Sequence, residues 1–355
     1  MVRFVAGLLT LVLLASFSGT ANAKETIRLH IGSGHSTLST YVNLLQHFFV
    51  PEVSKRVADR TNYEIVFTES YGGSAVKTSD TLERVKRGDI DIGGYCFCFE
   101  PSNLPLHAFQ VMLPFGSMDP ITSLKIARDV YDSVPFMTNV FESKYRQKLI
   151  ALMADSGQNL ATNFDWTRLS ELKGRKIAGA GLNLKWVEYV GAIPIQSSLR
   201  EAYSAMSSGT YDGYIIFPGG WLNYDLFDLG KYYTEVGFGA VTWYGLTINK
   251  ERFESLPKDV QTILIEVARE YEALTGTVNA ANYRKNIEEL KARGVQVRSL
   301  PNEIRKEWAT ALAPWPQQMA TELDARGLPA SQVLSATLAA AERAGHVWPV
   351  RYQIK

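Results

Sequence analysis

The sequence lacks the signatures by which most enzymes, metal sites and nucleic-acid-binding proteins are recognised. It contains no Walker loop, no His-Glu-x-x-His, no Gly-x-Ser-x-Gly, and no Gly-x-Gly-x-x-Gly that opens a helix after a strand. Its histidines, at positions 30, 35, 47, 107 and 346, show no metal-ligand spacing. Basic residues number 37 and acidic residues 36, so no charge excess favours nucleic acid or an anionic membrane. We therefore expect no catalysis, no cofactor and no nucleic-acid partner.

Cysteine is scarce, and only Cys96 and Cys98 are present. If Tyr-Cys-Phe-Cys-Phe is a strand, the two side chains share a face with Cα atoms about 6.6 Å apart, near the upper limit for a disulfide. A metal site would need more ligands than two thiols. We expect two buried free thiols. The alternative is a strained local disulfide, which an oxidising compartment would favour.

Long apolar runs are also absent, except at the N-terminus. Arg3 precedes an almost wholly apolar run over residues 4–17, and Ala21-Asn22-Ala23 is an A-x-A cleavage signature. This run is shorter than the roughly 20 residues of a transmembrane helix. We interpret residues 1–23 as a cleaved signal peptide, with an uncleaved anchor as the alternative. The mature chain is then exported without a stable membrane anchor, and its near-balanced charge fits a monomer.

The rest of the chain alternates strand and helix patterns in two blocks, which predicts α/β architecture with two lobes. In each block the β-α-β order predicts parallel strands with helices on the faces of the sheet. The predicted strands are residues 26–31, 63–67, 89–94, 148–153, 176–178 and 212–217, and the predicted helices are residues 37–60, 79–87, 183–190 and 198–207.

A long amphipathic pattern covers residues 258–293. About 35 helical residues span roughly 50 Å, which is more than one lobe. We therefore expect one helix that crosses both lobes, unless Gly276 kinks or divides it. The predicted lobes comprise residues 24–155 with 244–283, and residues 156–243 with 284–345.

Four motifs in the second block are the most specific in the chain. They are Leu172-Lys173-Gly174-Arg175-Lys176-Ile177, Gly191-Ala192-Ile193-Pro194, Glu201-Ala202-Tyr203 and Gly209-Thr210-Tyr211-Asp212-Gly213. In this order and spacing, the chain resembles the DctP-type solute receptors of tripartite ATP-independent periplasmic (TRAP) transporters, over essentially its mature length. The resemblance implies a two-lobed periplasmic-binding-protein-like fold that closes over an organic acid. It also implies a periplasmic location and delivery of the acid to membrane transporter subunits.

The chain departs from this family where ligand is usually bound. The resemblance places Ala178 and Gln158 at the positions of two family arginines, and Tyr214-Ile215-Ile216 replaces a polar cluster. A guanidinium matches a carboxylate bidentately, so its loss disfavours small dicarboxylates and sugar acids. We expect an aromatic or hydrophobic monocarboxylate. The alternatives are a small aliphatic or 2-oxo acid, or a periplasmic sensor or enzyme on the same fold.

The resemblance also places several aromatic side chains near the cleft, where they would stack on such a ligand unless they belong to the lobe cores. They are Tyr95, Phe97, Trp186, Tyr214, Trp221 and Trp243. Candidate donors for the carboxylate follow strands or begin a helix, where backbone N–H groups also favour an anion. They are His35, Tyr71, Gln158, Asn183 and Lys185. The alternatives are a structural role for His35 and a position on the exposed surface for Lys185.

Overall fold

The computed structural model describes residues 24–355, so the predicted signal peptide lies outside the described residues. Within this range one mixed sheet forms the centre of the molecule. Its strands are β1 (Glu25–Gly32), β2 (Tyr63–Ser70), β3 (Ile92–Cys96), β4 (Gln147–Thr162), β5 (Lys176–Gly179), β6 (Ile193–Gln196), β7 (Gly213–Ile216), β8 (Tyr232–Asn249) and β9 (Gln296–Ser299). The strand order is β2-β1-β3-β8-β4-β7-β5-β6, with β9 beside β8.

Helices cover the faces of this sheet. They are α1 (Thr40–Leu44), α2 (Val50–Arg60), α3 (Thr81–Arg87), α4 (Pro120–Ser133), α5 (Phe136–Tyr145), α6 (Leu184–Glu188), α7 (Leu199–Ser207), α8 (Pro218–Asn223), α9 (Lys250–Ser255), α10 (Lys258–Ala292), α11 (Asn302–Leu312), α12 (Trp315–Ala325) and α13 (Ala330–Arg343). A π-helical turn over Leu45–Phe49 joins α1 to α2. In the described part of the chain, none of the helices combines the length and apolarity that crossing a bilayer requires.

Two long antiparallel strands join the lobes. β4 has 16 residues and β8 has 18, and they pair along most of their length. One end of this pair continues into β3, β1 and β2, which define the first lobe, and the other end continues into β7, β5 and β6, which define the second. The parallel pairing of β1 with β2 and β3, and of β5 with β6 and β7, confirms the sequence prediction.

The β4–β8 ladder is irregular where it passes from one lobe to the other. Its register shifts between Met153 and Ala154 and again between Ala154 and Gly157. Such bulges bend a strand and redirect its side chains. Asp155 and Ser156 lie within this irregular stretch, between the two lobes.

Helix α10 is the predicted spanning helix, and Gly276 does not divide it. Val260 and Tyr271 belong to the core of the first lobe, whereas Ile287 and Leu290 belong to that of the second. The helix is fastened to β4 at the crossing, because Asn279 Nδ2 donates to the Ala154 carbonyl at 2.9 Å. Both lobes therefore pack on the same continuous helix. The residue boundaries of the lobes remain a prediction.

The two cysteines are joined, so the expectation of free thiols is wrong. Strand β3 ends at Cys96, and Phe97–Phe99 forms a 3₁₀ turn. This turn brings the Cα atoms of Cys96 and Cys98 to 5.1 Å, closer than on an extended strand, and a disulfide connects them.

Candidate functional site: the interlobe cavity

A cavity lies between the lobes, beside the crossing of β4 and β8. We call it the interlobe cavity. Its wall comprises His35, Cys98, Phe99, Asp155, Gln158, Ala180, Asn183, Ser197, Ser198, Leu199, Tyr214, Ile215, Ile216, Phe217, Trp243 and Tyr244. The volume within it that the centre of a water molecule can occupy is about 40 Å³. One water needs roughly 10–15 Å³ on this measure, so the cavity has room for only a few waters.

The segments on either side of this cavity touch directly, and we interpret this arrangement as a closed form. Asn223 Nδ2, at the end of α8, donates to the Leu38 carbonyl of the first lobe at 3.4 Å. Gly181, which follows β5, packs so closely that an added Cβ would lie 2.8 Å from the Cys98 carbonyl oxygen.

Much of the cavity wall is aromatic. The Tyr214 hydroxyl donates to the Ser197 carbonyl at 2.8 Å, and Trp243 Nε1 donates to Asp155 Oδ2 at 3.3 Å. The rings of Trp243 and Tyr244 are nearly perpendicular, with centroids 6.1 Å apart. Because their polar edges are paired within the protein, these rings contribute mainly apolar surface to the cavity.

His35 is held by a short hydrogen-bond relay. Its backbone N–H donates to Ser33 Oγ at 3.2 Å, Ser33 Oγ lies 2.9 Å from the Tyr41 hydroxyl, and that hydroxyl lies 2.8 Å from His35 Nδ1. Burial lowers the pKa of His35 to about 4, so the ring is neutral at neutral pH. The relay can run in either direction: the ring proton lies on Nε2 when Ser33 donates to Tyr41 and Tyr41 donates to Nδ1, and on Nδ1 when both bonds are reversed.

Asp155 brings a carboxyl group into the same cavity, and its residue is only 6% exposed. The Ser156 N–H donates to Oδ1 at 2.8 Å, while the Gln158 amide and the Tyr244 hydroxyl donate to Oδ2 at 3.2 and 3.4 Å. Burial raises the pKa of Asp155 to about 7 despite these donors. Among residues 24–355, no lysine or arginine contributes to the cavity wall.

A comparison with known families identifies this architecture. Residues 39–323 match the DctP family, described as bacterial extracellular solute-binding protein, family 7. The chain belongs to this family. The resemblance inferred from the four sequence motifs is thereby confirmed, and the family consists of solute-binding receptors.

Individual DctP-family relatives are distant in sequence but similar in fold. The C4-dicarboxylate-binding periplasmic protein DctP of Rhodobacter capsulatus is 25% identical over 312 residues, covering 81% of this chain and 93% of the relative. A TRAP solute binding protein from Rhodoferax ferrireducens, solved with copurified benzoate, has a TM-score of 0.78 at 19% identity, over 90% of this chain and 98% of that chain. DctP7 of Bordetella pertussis, a receptor binding pyroglutamic acid, has a TM-score of 0.73 at 19% identity, over 88% and 99%.

Five of the residues singled out from sequence lie together in the wall of this DctP-family cavity. They are His35, Gln158, Asn183, Tyr214 and Trp243. Gln158, which the resemblance placed at the position of a family arginine, donates from its amide to Asp155 Oδ2 at 3.2 Å. Asn183 Oδ1 accepts the Ala180 N–H at 2.9 Å, which holds the turn after β5.

Four of the aromatic residues predicted near the cleft belong instead to the cores of the lobes. Trp186 is fully buried, donates from Nε1 to the Val111 carbonyl at 2.9 Å, and stacks on Phe238 with centroids 4.7 Å apart. The Tyr95 hydroxyl donates to Gln147 Oε1 at 3.3 Å beneath the sheet. Phe97 and Trp221 are core residues as well. Helix α11 also contacts this part of α6, because Trp308 Nε1 donates to the backbone carbonyl of Trp186 at 2.6 Å.

Three further predicted contacts also lie outside the cavity wall. Tyr71 packs against the core of the first lobe. Lys185 is a surface charge, 2.7 Å from the Glu188 carboxylate. Ala178 is fully buried in β5, where its neighbours in the sheet are Ile195 and Tyr214. Ala178 is thus part of the second lobe's core.

Five other residues of the cavity wall were not predicted from the sequence: Asp155, Tyr244, Phe99, Ser197 and Ser198. Asp155 directly precedes Ser156-Gly157-Gln158, where a family arginine had been located, so its proximity in sequence was an available signal. Phe99 lies in the 3₁₀ turn that follows β3. That turn was not predicted.

Proposed function

We propose that this protein is the periplasmic receptor of a TRAP-type transporter, exported after cleavage of residues 1–23. It binds an aromatic or hydrophobic monocarboxylate in the interlobe cavity as a monomer and delivers it to the membrane subunits. The observation that carries the ligand class is the cavity wall, which contains five Phe, Tyr or Trp residues and no lysine or arginine among the described residues. An apolar wall with a few placed polar groups suits a ligand with an apolar body and one polar end.

The polar end of the ligand would be met by neutral donors. His35 Nε2 and the Asn183 amide lie in the wall, together with the hydroxyls of Ser197 and Ser198. Trp243 and Tyr244 would pack on the aromatic body, and each such aromatic pair contributes about 0.5–1.5 kcal/mol beyond the area it buries. These contacts come from both lobes, so the ligand stabilises the closed form by its stronger binding there.

The relatives support both this class and its alternative. Benzoate is named with the Rhodoferax ferrireducens structure, which fits the aromatic reading. Pyroglutamic acid is named for the Bordetella pertussis receptor and C4-dicarboxylates for the Rhodobacter capsulatus protein. The second candidate is therefore a small aliphatic or 2-oxo acid, and the small volume of the closed cavity, about 40 Å³, favours it.

A thermal-shift panel with the mature protein separates these candidates. Benzoate, 4-hydroxycinnamate and phenylpyruvate represent the aryl acids, and succinate, pyruvate and pyroglutamate represent the small acids. A ligand at a hundredfold excess over its Kd stabilises the protein by about 2.7 kcal/mol, which gives a clear shift in Tm. We expect shifts with aryl acids only. Shifts with succinate or pyruvate and none with aryl acids would replace the proposed ligand class by the second candidate.

A further inference from the structure

The charge of the interlobe cavity is unusual for a site that receives an acid. Among its described wall residues, Asp155 is the only carboxylic acid. The other titratable members are His35, Tyr214 and Tyr244, and Cys98 is held in a disulfide. An ionised Asp155 would face the ligand carboxylate with a second negative charge in a desolvated space.

The hydrogen bonds around Asp155 stabilise an ionised carboxylate only weakly. Its Oδ2 receives contacts of 3.2, 3.3 and 3.4 Å from Gln158, Trp243 and Tyr244. Charge-assisted hydrogen bonds to a carboxylate are typically about 2.7–2.9 Å. Only the Ser156 N–H, at 2.8 Å from Oδ1, falls in that range.

No positive charge comes from the elements that surround the carboxyl group. His35 follows β1 and is neutral because burial lowers its pKa to about 4. Tyr41, on α1, stacks beside Tyr244 of β8 with ring centroids 4.7 Å apart. Burial raises the pKa of both phenols well above the usual range, so both stay neutral. The remaining neighbours, Gln158 of β4 and Trp243 of β8, do not titrate.

We propose that Asp155 meets the ligand carboxylate as a protonated carboxyl group and donates a hydrogen bond to it, so that at alkaline pH the receptor takes up a proton with each ligand. This inference rests on the proposed function, because it assumes an acid ligand. The proton comes from solvent and resides on an Asp155 oxygen, and the ligand remains an anion. Asp155 thereby supplies the donor that an arginine supplies in relatives of the usual pattern.

The titration of Asp155 sets the pH range of the effect. Its pKa is about 7 in the closed cavity because burial disfavours the charged form. A bound anion raises that pKa further. In a ligand-free protein whose Asp155 keeps this pKa, the carboxyl group is largely protonated near pH 6 and must gain a proton near pH 8. Ligand carboxylic acids with a pKa of about 4 are ionised across this whole range.

Calorimetry measures this proton directly. With the tightest of benzoate, 4-hydroxycinnamate and phenylpyruvate, we expect Kd to be about tenfold weaker at pH 8 than at pH 6, from a pKa of about 7. Titrations in two buffers of different ionisation enthalpy should show about 0.9 proton taken up at pH 8 and about 0.1 at pH 6. This count is made on the wild-type protein and needs no variant.

A matched pair of variants assigns the proton to Asp155. Asp155→Asn carries a permanent donor of similar shape, so its Kd should be the same at both pH values. Glu322→Gln removes an exposed carboxylate on α12 and should keep the tenfold dependence. A tenfold dependence that survives in Asp155→Asn would overturn the assignment.

The other outcomes separate this inference from the proposed function. Binding of an aryl acid with no pH dependence and no proton uptake would overturn the inference and leave the receptor assignment intact. Binding of none of the three acids at either pH would overturn both. Tighter binding of benzylamine than of benzoate, strengthened at pH 8 and lost in Asp155→Asn, would show that Asp155 is the counter-ion of a cationic ligand and would also overturn both.

Discussion

Closure of the cavity can be tested by adding one methyl group at Gly181, which contacts Cys98 across the cavity. Gly181 follows β5 in the second lobe and has a φ of +64°, and Cys98 follows β3 in the first. In the closed form an alanine Cβ at position 181 would lie 2.8 Å from the Cys98 carbonyl oxygen. Backbone atoms cannot give way as a flexible side chain does, so Gly181→Ala should oppose closure.

Two separate costs are expected from Gly181→Ala. The left-handed backbone costs an alanine about 1–2 kcal/mol whether the lobes are open or closed. The clash acts only in the closed form, and overpacking of this kind costs about 1–3 kcal/mol. Because ligand binds the closed form, the second cost should weaken Kd by about 5- to 150-fold.

Gly174→Ala is the matched control for Gly181→Ala. Gly174 has a φ of +77°, and an added Cβ would meet nothing within 4 Å. We expect both variants to lose similar stability in urea unfolding, and only Gly181→Ala to lose affinity in calorimetry. Equal Kd values for the two variants would refute the reasoning that this contact forms on closure around ligand.

Two further predictions concern Trp186 and Asp155. Trp186→Phe should lower the free energy of unfolding by about 1–3 kcal/mol, because it leaves the buried Val111 carbonyl without its donor. The Kd of this variant for the aryl acid should stay within about twofold of wild type. A larger loss of affinity in calorimetry would indicate that Trp186 contacts the ligand. Asp155 has a raised pKa, so its contribution to stability is fully present below about pH 4 and is lost as the pH rises to about 7. Asp155→Asn should therefore stabilise the ligand-free protein by up to about 4 kcal/mol at pH 8 and far less at pH 4, and equal urea midpoint changes at both pH values would contradict this.

Local sequence patterns predicted the parallel parts of the fold. The alternation at the start of the mature chain and the glycine that ends α3, at a φ of +76° in Gly88, located β1, β2 and β3. The long helix α10 was also visible, because its apolar spacing continues over many turns. These elements carry their signal within a few neighbouring residues.

The elements that depend on distant contacts were not predicted. Strand β8 is interrupted by Gly237 and Gly239, and most of its residues are buried, so it shows no clear alternation. Its partner β4 was recognised over only a few residues, because the bulges near Asp155 break its period. The joining of the lobes through these two strands therefore emerges only from the structure.

The candidate site was predicted in part for the same reason. A sequence can show that an aromatic residue lies on a helix, as Trp186 does, but the direction of its side chain depends on contacts with distant residues, here Val111 and Phe238. Asp155 is a single acid within an apolar strand. Its role follows from the crossing of β4 and β8, where it is desolvated beside Trp243 and Tyr244.

The most direct test of the account is a crystal structure of the mature protein with its tightest aryl acid, prepared near pH 6. The quantity to measure is the distance from the ligand carboxylate oxygens to the nearest protein donors and to the nearest guanidinium nitrogen. We predict lobes closed on the ligand, hydrogen bonds to Asp155 and to neutral donors such as His35, and no guanidinium within 4 Å. A carboxylate paired with an arginine side chain, or a ligand bound outside the interlobe cavity, would contradict it.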